Sequence, residues 1–175
     1  MSILVVSSSL NSDSNSRLLA QAAMNALTAD GLTPKLLDLN ELPLPFCDGS
    51  SAYGHPNTQQ VSKLASEASG FIFASPIYNY DVNAALKNFI ELVGGNLEDK
   101  TVAFLNAAGG TSSYMSIMAL ANSLMLDFRS VVVPRFVYAV PADFADGAIA
   151  NPKITERVAT CARALASLTA QRTAA

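Results

Sequence analysis

Three stretches of this sequence hold side chains suited to gripping a ligand. The first, Ser7–Ser16, contains six serines, two asparagines and one aspartate. It follows the apolar run Ile3-Leu-Val-Val and precedes a segment in which Leu18, Leu19, Ala22, Ala23, Ala26 and Leu27 share one helical face. A helix start offers unpaired N–H groups and the positive end of the helix dipole, and serine hydroxyls add donors without bulk. A phosphate is the natural guest. The same composition also makes an ordinary N-cap cluster. Both readings stand on the residues alone. The stretch has no glycine, so it is neither G-x-G-x-x-G nor a Walker A loop, which argues against a classical dinucleotide fold and an NTPase.

The second stretch is Gly70–Tyr80, Gly-Phe-Ile-Phe-Ala-Ser-Pro-Ile-Tyr-Asn-Tyr. Its first half is short, apolar and aromatic and reads as a buried strand. Pro76 lacks an N–H and restrains its predecessor, so the strand is predicted to end near Ser75. Two tyrosines and an asparagine follow, and then Val82, Ala85, Leu86, Phe89, Ile90 and Val93 recur at helical spacing. Tyrosine faces and backbone donors in such a loop suit a flat heterocycle with polar edges. The third stretch, Asn106-Ala-Ala-Gly-Gly-Thr, lies between the predicted strand Thr101–Leu105 and a helix reaching about Asp127. Paired glycines let a backbone approach a ligand closely, although a tight turn is their usual explanation.

These stretches need elements to hold them. Further strands are predicted at Lys35–Leu39 and Val131–Tyr138, the latter kinked or at an edge because of Pro134. Gly31 is placed to end the first helix. A long loop runs through Pro43, Pro45 and 48–56, followed by a helix over Thr58–Ser69. The last helix carries Ile154, Val158, Cys161, Leu165 and Leu168 at steps of four and three. Strand and helix alternate through the chain. That pattern predicts one α/β domain over 1–175 with a five-stranded parallel sheet between two helical layers. In such a sheet the loops after the first, third and fourth strands share one rim, where ligands of open α/β sheets settle.

Composition narrows the function. Half of the residues are apolar and 14% charged, so the chain folds. Net charge is −3 with no basic run, which excludes a phosphate-neutralising nucleic-acid binder. Cys47 and Cys161 form no CxxC, and the chain has a single histidine, so a metal site has no support and two free thiols in a reducing cytoplasm are expected. The N-terminus does not read as a signal peptide, and no apolar stretch reaches membrane-spanning length.

Ser75-Pro-Ile-Tyr-Asn-Tyr-Asp-Val-Asn-Ala-Ala-Leu-Lys-Asn resembles the P-x-Y-N-x-S-x-P-x-x-L-K-N stretch of the NADPH-dependent FMN reductase family, flavodoxin-like proteins that include quinone, azo-dye and chromate reductases. The opening strand with its serine loop and the Gly109-Gly110 loop are similar to that family's other signatures, over the chain to about Arg135. The resemblance implies a flavodoxin-like α/β/α sandwich in which Ser9, Ser14 and Ser16 hold the FMN phosphate. Pro76, Ile77, Tyr78 and Asn79 would border the isoalloxazine and ribityl chain, and Asn106, Gly109 and Gly110 the polar edge of the ring. The chain departs from the family at Asn11, where an arginine that could pair with the NADPH 2′-phosphate is usual, and at Asp81 and Asn83.

The expected function is an NAD(P)H oxidoreductase that passes hydride from NADPH or NADH to FMN and on to a small acceptor such as a flavin, quinone, azo compound or metal oxyanion. The alternative is a flavodoxin-type electron carrier. No side chain is assigned a catalytic role, because the cofactor carries the chemistry. His55 reads as a solvated loop residue, and Cys47 as structural because a Cys-x5-Arg phosphatase loop would need arginine where Tyr53 stands. Met115, Met118 and Met125 read first as core and second as an interface, and a homodimer or homotetramer is expected.

Overall fold

The computed structural model describes residues 1–173. Short, continuous apolar runs build its central strands. β1 (Ile3–Ser7), β3 (Gly70–Tyr78) and β5 (Thr101–Ala107) are buried on both faces, while β2 (Lys35–Asp38) lies at one edge. The order is β2-β1-β3-β5, all parallel, with Ser7 opposite Ala74 and Ser75 opposite Asn106. The fifth sheet position is shared by β6 (Val131–Val132) and β7 (Val137–Ala139), both parallel to β5. The predicted strand over Val131–Tyr138 is therefore split around Pro134 at the sheet edge.

One face of the sheet packs Leu4, Val6, Phe71, Phe73 and Phe104 against α2 (Pro56–Glu67), α3 (Ala84–Val93) and α4 (Met118–Phe128). Phe73 stacks at 6.0 Å on Phe104 and meets Phe89 edge-on at 6.1 Å. Burying each such ring contributes about 1.5–3 kcal/mol. The other face packs Ile3, Val5, Ile72 and Leu105 against α1 (Asn15–Ala29) and α5 (Pro152–Thr173). This is the flavodoxin-like three-layer arrangement.

Three expectations change. β3 runs on to Tyr78 instead of stopping near Ser75. Its neighbour β1 ends at Ser7, opposite Ala74, so Pro76 loses no ladder partner on that side and pairs only with Ala107 on β5. Beyond it, β4 (Asp81–Val82) folds back antiparallel onto Ile77 and Tyr78. The α3 helix starts at Ala84, after that hairpin. Finally, Met115, Met118 and Met125 are 50%, 44% and 41% exposed, so core packing does not explain them. A small hairpin of β8 (Phe144–Ala145) and β9 (Ala148–Ile149) turns on Asp146-Gly147, both left-handed with φ of 50° and 71°, an Asp-Gly hairpin signal that the reading of the sequence passed over.

Candidate functional site

The parallel register brings the serine, tyrosine and glycine segments to one rim, at the carboxyl ends of β1, β3 and β5. The serine loop opens α1, with Ser14 as its N-cap accepting from the Ser16 amide at 3.3 Å. The Ser14 and Ser16 hydroxyls lie 2.8 Å apart, and Ser9 Oγ accepts from the Asn11 amide at 3.2 Å. Ser9 and Ser16 are buried, and Ser14 is half-buried. Among the described residues, the amides of Leu10, Ser12 and Ser14 have no protein acceptor. Free amides beside a helix start form a concave anion seat. It contains no free cation. Arg17, in the first turn of α1, is committed to the buried carboxylate of Asp38.

The second segment is tighter than a loop. Asn79 and Tyr80 form the two-residue turn between β3 and β4, with φ of 51° and 66°. Both are left-handed, as a type I′ hairpin turn requires. Asparagine tolerates this, whereas tyrosine pays roughly 1 kcal/mol or more. The strained turn presents Tyr78 and Tyr80 to solvent, 56% and 54% exposed. Pro76 and Ile77 are buried beneath it.

Asn83 ties these two segments together. Its Nδ2 donates to the Ser8 carbonyl at 2.7 Å, and its Oδ1 accepts from Ser8 Oγ at 2.7 Å and Ser75 Oγ at 3.1 Å. Because the side chain is spent on these bonds, Asn83 gives α3 no side-chain cap. From the sequence Asn83 is only a departure from the family pattern, and its bridging role was missed. Asn88, five residues on, grips the long loop through the Pro45 carbonyl at 2.9 Å and the Cys47 amide at 2.8 Å.

The third segment carries an unmet need. The Asn106 side chain is fully buried in the ladder between Ser75 and Tyr138, and neither its nitrogen nor its oxygen has a partner. Buried amides without partners are rare in finished structures and point to a missing one. Above it, Gly109 and Gly110 are exposed, and a Cβ built on either meets nothing within 4 Å. Gly110 has an extended backbone, φ −174° and ψ −178°. Neither a positive φ nor protein packing calls for glycine here. The open space beside these residues leaves room for a ligand at the rim.

The remaining candidates lie apart from this constellation. His55 caps α2, its Nδ1 accepting from the Asn57 amide at 3.2 Å. Cys47 is half-buried and donates to Tyr53 Oη at 3.6 Å. That bond raises the phenol's pKa. Burial pushes the Cys161 thiol up to about 11, so it is inert at neutral pH.

With free amides beside Ser14, an orphaned amide at Asn106 and an uncovered glycine pair, the rim fits a phosphate-bearing planar ligand such as FMN. The sequence model of the family described as NADPH-dependent FMN reductase matches residues 1–145. An NAD(P)H-dependent FAD/FMN reductase of Geobacillus thermodenitrificans is 33% identical over 132 residues, covering 73% of this chain and 71% of that protein. An NAD(P)H:quinone oxidoreductase of Solanum tuberosum is 29% identical over 91% of this chain and 88% of its own. A flavoenzyme NAD(P)H:(acceptor) oxidoreductase of Paracoccus denitrificans shares the fold, with a TM-score of 0.79 over 97% of each chain at 16% identity. No helix among the described residues is long and apolar enough to cross a membrane.

Proposed function

The chain belongs to the NADPH-dependent FMN reductase family and is a flavin-dependent NAD(P)H oxidoreductase, and from that premise we propose that a single domain over 1–175 grips FMN across its three-loop rim and delivers electrons to a small acceptor. The observation that carries the site is the pairing of unsatisfied donors with unfilled space on one rim: the free amides of Leu10, Ser12 and Ser14, the partnerless Asn106 amide and the open faces of Gly109 and Gly110.

Bound FMN supplies the redox chemistry, taking hydride from the nicotinamide and releasing electrons to the acceptor. The protein binds and orients. Ser9, Ser14, Ser16 and the amides of Leu10, Ser12 and Ser14 hold the phosphate, with the α1 dipole supplying the positive field that no free cation provides. Pro76 and Ile77 form an apolar floor, and Tyr78 and Asn79 flank the ring. The backbone of the Gly109-Gly110 loop faces the polar edge of the ring, where donors would favour negative charge as it develops. Asn106 supports that loop from below. Holding two flat rings in contact lowers the barrier chiefly by orientation, worth at most about 7–11 kcal/mol.

A quinone, as in the potato relative, or another flat acceptor suits a site whose ring face is left open by Tyr78 and Tyr80. Met118, Met125 and Leu126 give α4 an exposed apolar face that Met115, in the turn before it, extends, and a second copy of the chain covers it in a homodimer or homotetramer. The free thiols of Cys47 and Cys161 suit a reducing cytoplasm. The test is anaerobic mixing of flavin-loaded protein with NADPH or NADH. Bleaching of the visible flavin band within a turnover supports the reading, and an unchanged spectrum refutes it.

A further inference from the structure

Away from the three loops, residues 134–136 leave the sheet edge, after Val133 has donated its amide to the Val102 carbonyl at 2.8 Å and before β7 begins at Val137. Pro134 cannot donate to a ladder, and the departure exposes a stripe of α5 that the sheet would otherwise cover. The result is a groove of about 870 Å³, walled by Val133, Pro134 and Phe136 on one side and by Thr160, Cys161 and Ala164 of α5 on the other. That volume lies within the range of small-molecule sites.

The charge in this groove is unusual for an acidic chain. Arg135, Lys153 and Arg157 line it, against the single carboxylate of Glu156. Among the described residues none of these three cations makes an ion pair or side-chain hydrogen bond. Most other cations are spent. Arg17 pairs with Asp38, Lys35 with Glu67, Lys87 with Glu91, Arg129 with Glu98 and Asp99, and Arg163 with Asp30. Arg172 donates to the Asp99 carbonyl. Lys63 and Lys100 are also unpaired, but stand alone elsewhere. The groove therefore gathers the one cluster of uncommitted positive charge among the described residues.

An aromatic relay links the groove to the flavin rim. Tyr114, at its mouth, packs at 5.0 Å against Phe136 and at 5.4 Å, edge-on, against Tyr138. Tyr138 Oη in turn donates to the Gly110 carbonyl at 2.5 Å. Tyr114 and Tyr138 thus connect the mouth of the groove to the glycine loop.

We infer that this groove seats the adenosine 2′-phosphate end of NADPH, with Arg135, Lys153 and Arg157 on the phosphate and Tyr114 and Phe136 against the adenine. The inference rests on the reading that a nicotinamide nucleotide reduces flavin held at the rim. The serine loop cannot perform this task. Asn11 is uncharged, Arg17 is locked to Asp38, and the free amides are taken by the flavin's own phosphate. A dianion with an attached planar base matches a groove with three free cations and the packed Tyr114–Phe136 pair beside its mouth.

The test is calorimetric titration of the flavin-loaded protein with 2′,5′-ADP and with 5′-AMP, which lacks the 2′-phosphate. The wild type is expected to bind 2′,5′-ADP at least about tenfold more tightly. Arg157→Glu should abolish that preference, and Arg135→Ser should reduce it from the opposite wall. Both side chains are exposed and unpaired, so neither change threatens the fold. Lys63→Glu, an equal charge change on α2, should leave the preference in place. The NADPH-to-NADH ratio of kcat/KM should fall with the same variants. Equal binding of the two nucleotides by the wild type overturns the inference, as does an unchanged preference in Arg157→Glu. So does Arg157-dependent binding of a sulfonated aromatic dye that 2′,5′-ADP fails to displace. Any of these in a protein that still takes up FMN and oxidises both nucleotides removes the groove's role alone. Failure to take up FMN removes the reading beneath it.

Discussion

Replacing Asn83 with alanine should damage flavin binding without touching any residue assigned to the flavin. In the folded protein Asn83 is buried and holds the Ser8 carbonyl, Ser8 Oγ and Ser75 Oγ. The losses are unequal. Ser8 Oγ retains the Ala74 carbonyl at 3.2 Å, and Ser75 Oγ retains the Pro76 carbonyl at 2.9 Å. Only the Ser8 carbonyl is stripped of its donor. One orphaned buried carbonyl costs about 1–3 kcal/mol, so the apoprotein should lose roughly that much stability in urea. Binding should suffer separately, because FMN spans the serine and tyrosine segments that Asn83 clamps together. A loss of about 1.4 kcal/mol of that alignment is tenfold in Kd. Flavin fluorescence quenching measures it. FMN affinity should fall about tenfold, and riboflavin affinity, which engages only the ring side, distinctly less. A folded Asn83→Ala protein that binds FMN within about twofold of wild type would refute the clamp.

Other outcomes follow from the same geometry. Ser14→Asp should keep the α1 cap, since aspartate caps as well as serine, yet weaken FMN at least about tenfold by placing a negative charge beside the phosphate; unchanged affinity in the same fluorescence titration would misplace the phosphate. Gly110→Ala adds a Cβ into open space at an extended φ of −174°, so the urea midpoint of the apoprotein should hold or rise, by up to about 1 kcal/mol. FMN affinity should nonetheless drop, because the ligand fills that space; equal affinity would show the glycine face to be idle. Asp48 is held down to about 2 by Ser51 Oγ and the Ala52 and Ser50 amides, below its ordinary 3.8. A depressed carboxyl stabilises the 48–54 turn fully above about pH 4 and loses that contribution as pH falls through about 2, so the protection factors of the Ser50 and Ala52 amides, taken against intrinsic exchange at each pH, should fall over that window and, in Asp48→Asn, at neutral pH.

Much of this was legible in the sequence, for identifiable reasons. Apolar runs at 3–6, 70–75 and 101–105 sit in strands buried on both faces, and Gly31, with φ of 80°, closes α1 as its position suggests. Pro134 announced a disturbed edge strand because a missing donor has few places to go. What escaped was set by tertiary partners. Pro76 looked like a strand end, but the end of β1 relieved it of a ladder bond on that side. Asn79-Tyr80 gave no hairpin signal, since a type I′ turn is normally announced by glycine and here a tyrosine bears the strain. Asn83 read as a deviation, while its three bonds join residues up to 75 positions apart. The methionines of α4 followed a helical pattern that does not say whether core or partner covers it. The edge groove was invisible because its cations, at 135, 153 and 157, are brought together only by α5 packing beside the broken strand.

The central claim is that one rim grips the flavin through three separated segments. Backbone amide NMR of the apoprotein titrated with FMN tests it most directly. Shifts should concentrate at residues 8–16, 76–83 and 106–111 and move together with a single binding constant. Shifts confined to one segment, or centred on the groove between residues 133–136 and α5, would contradict it.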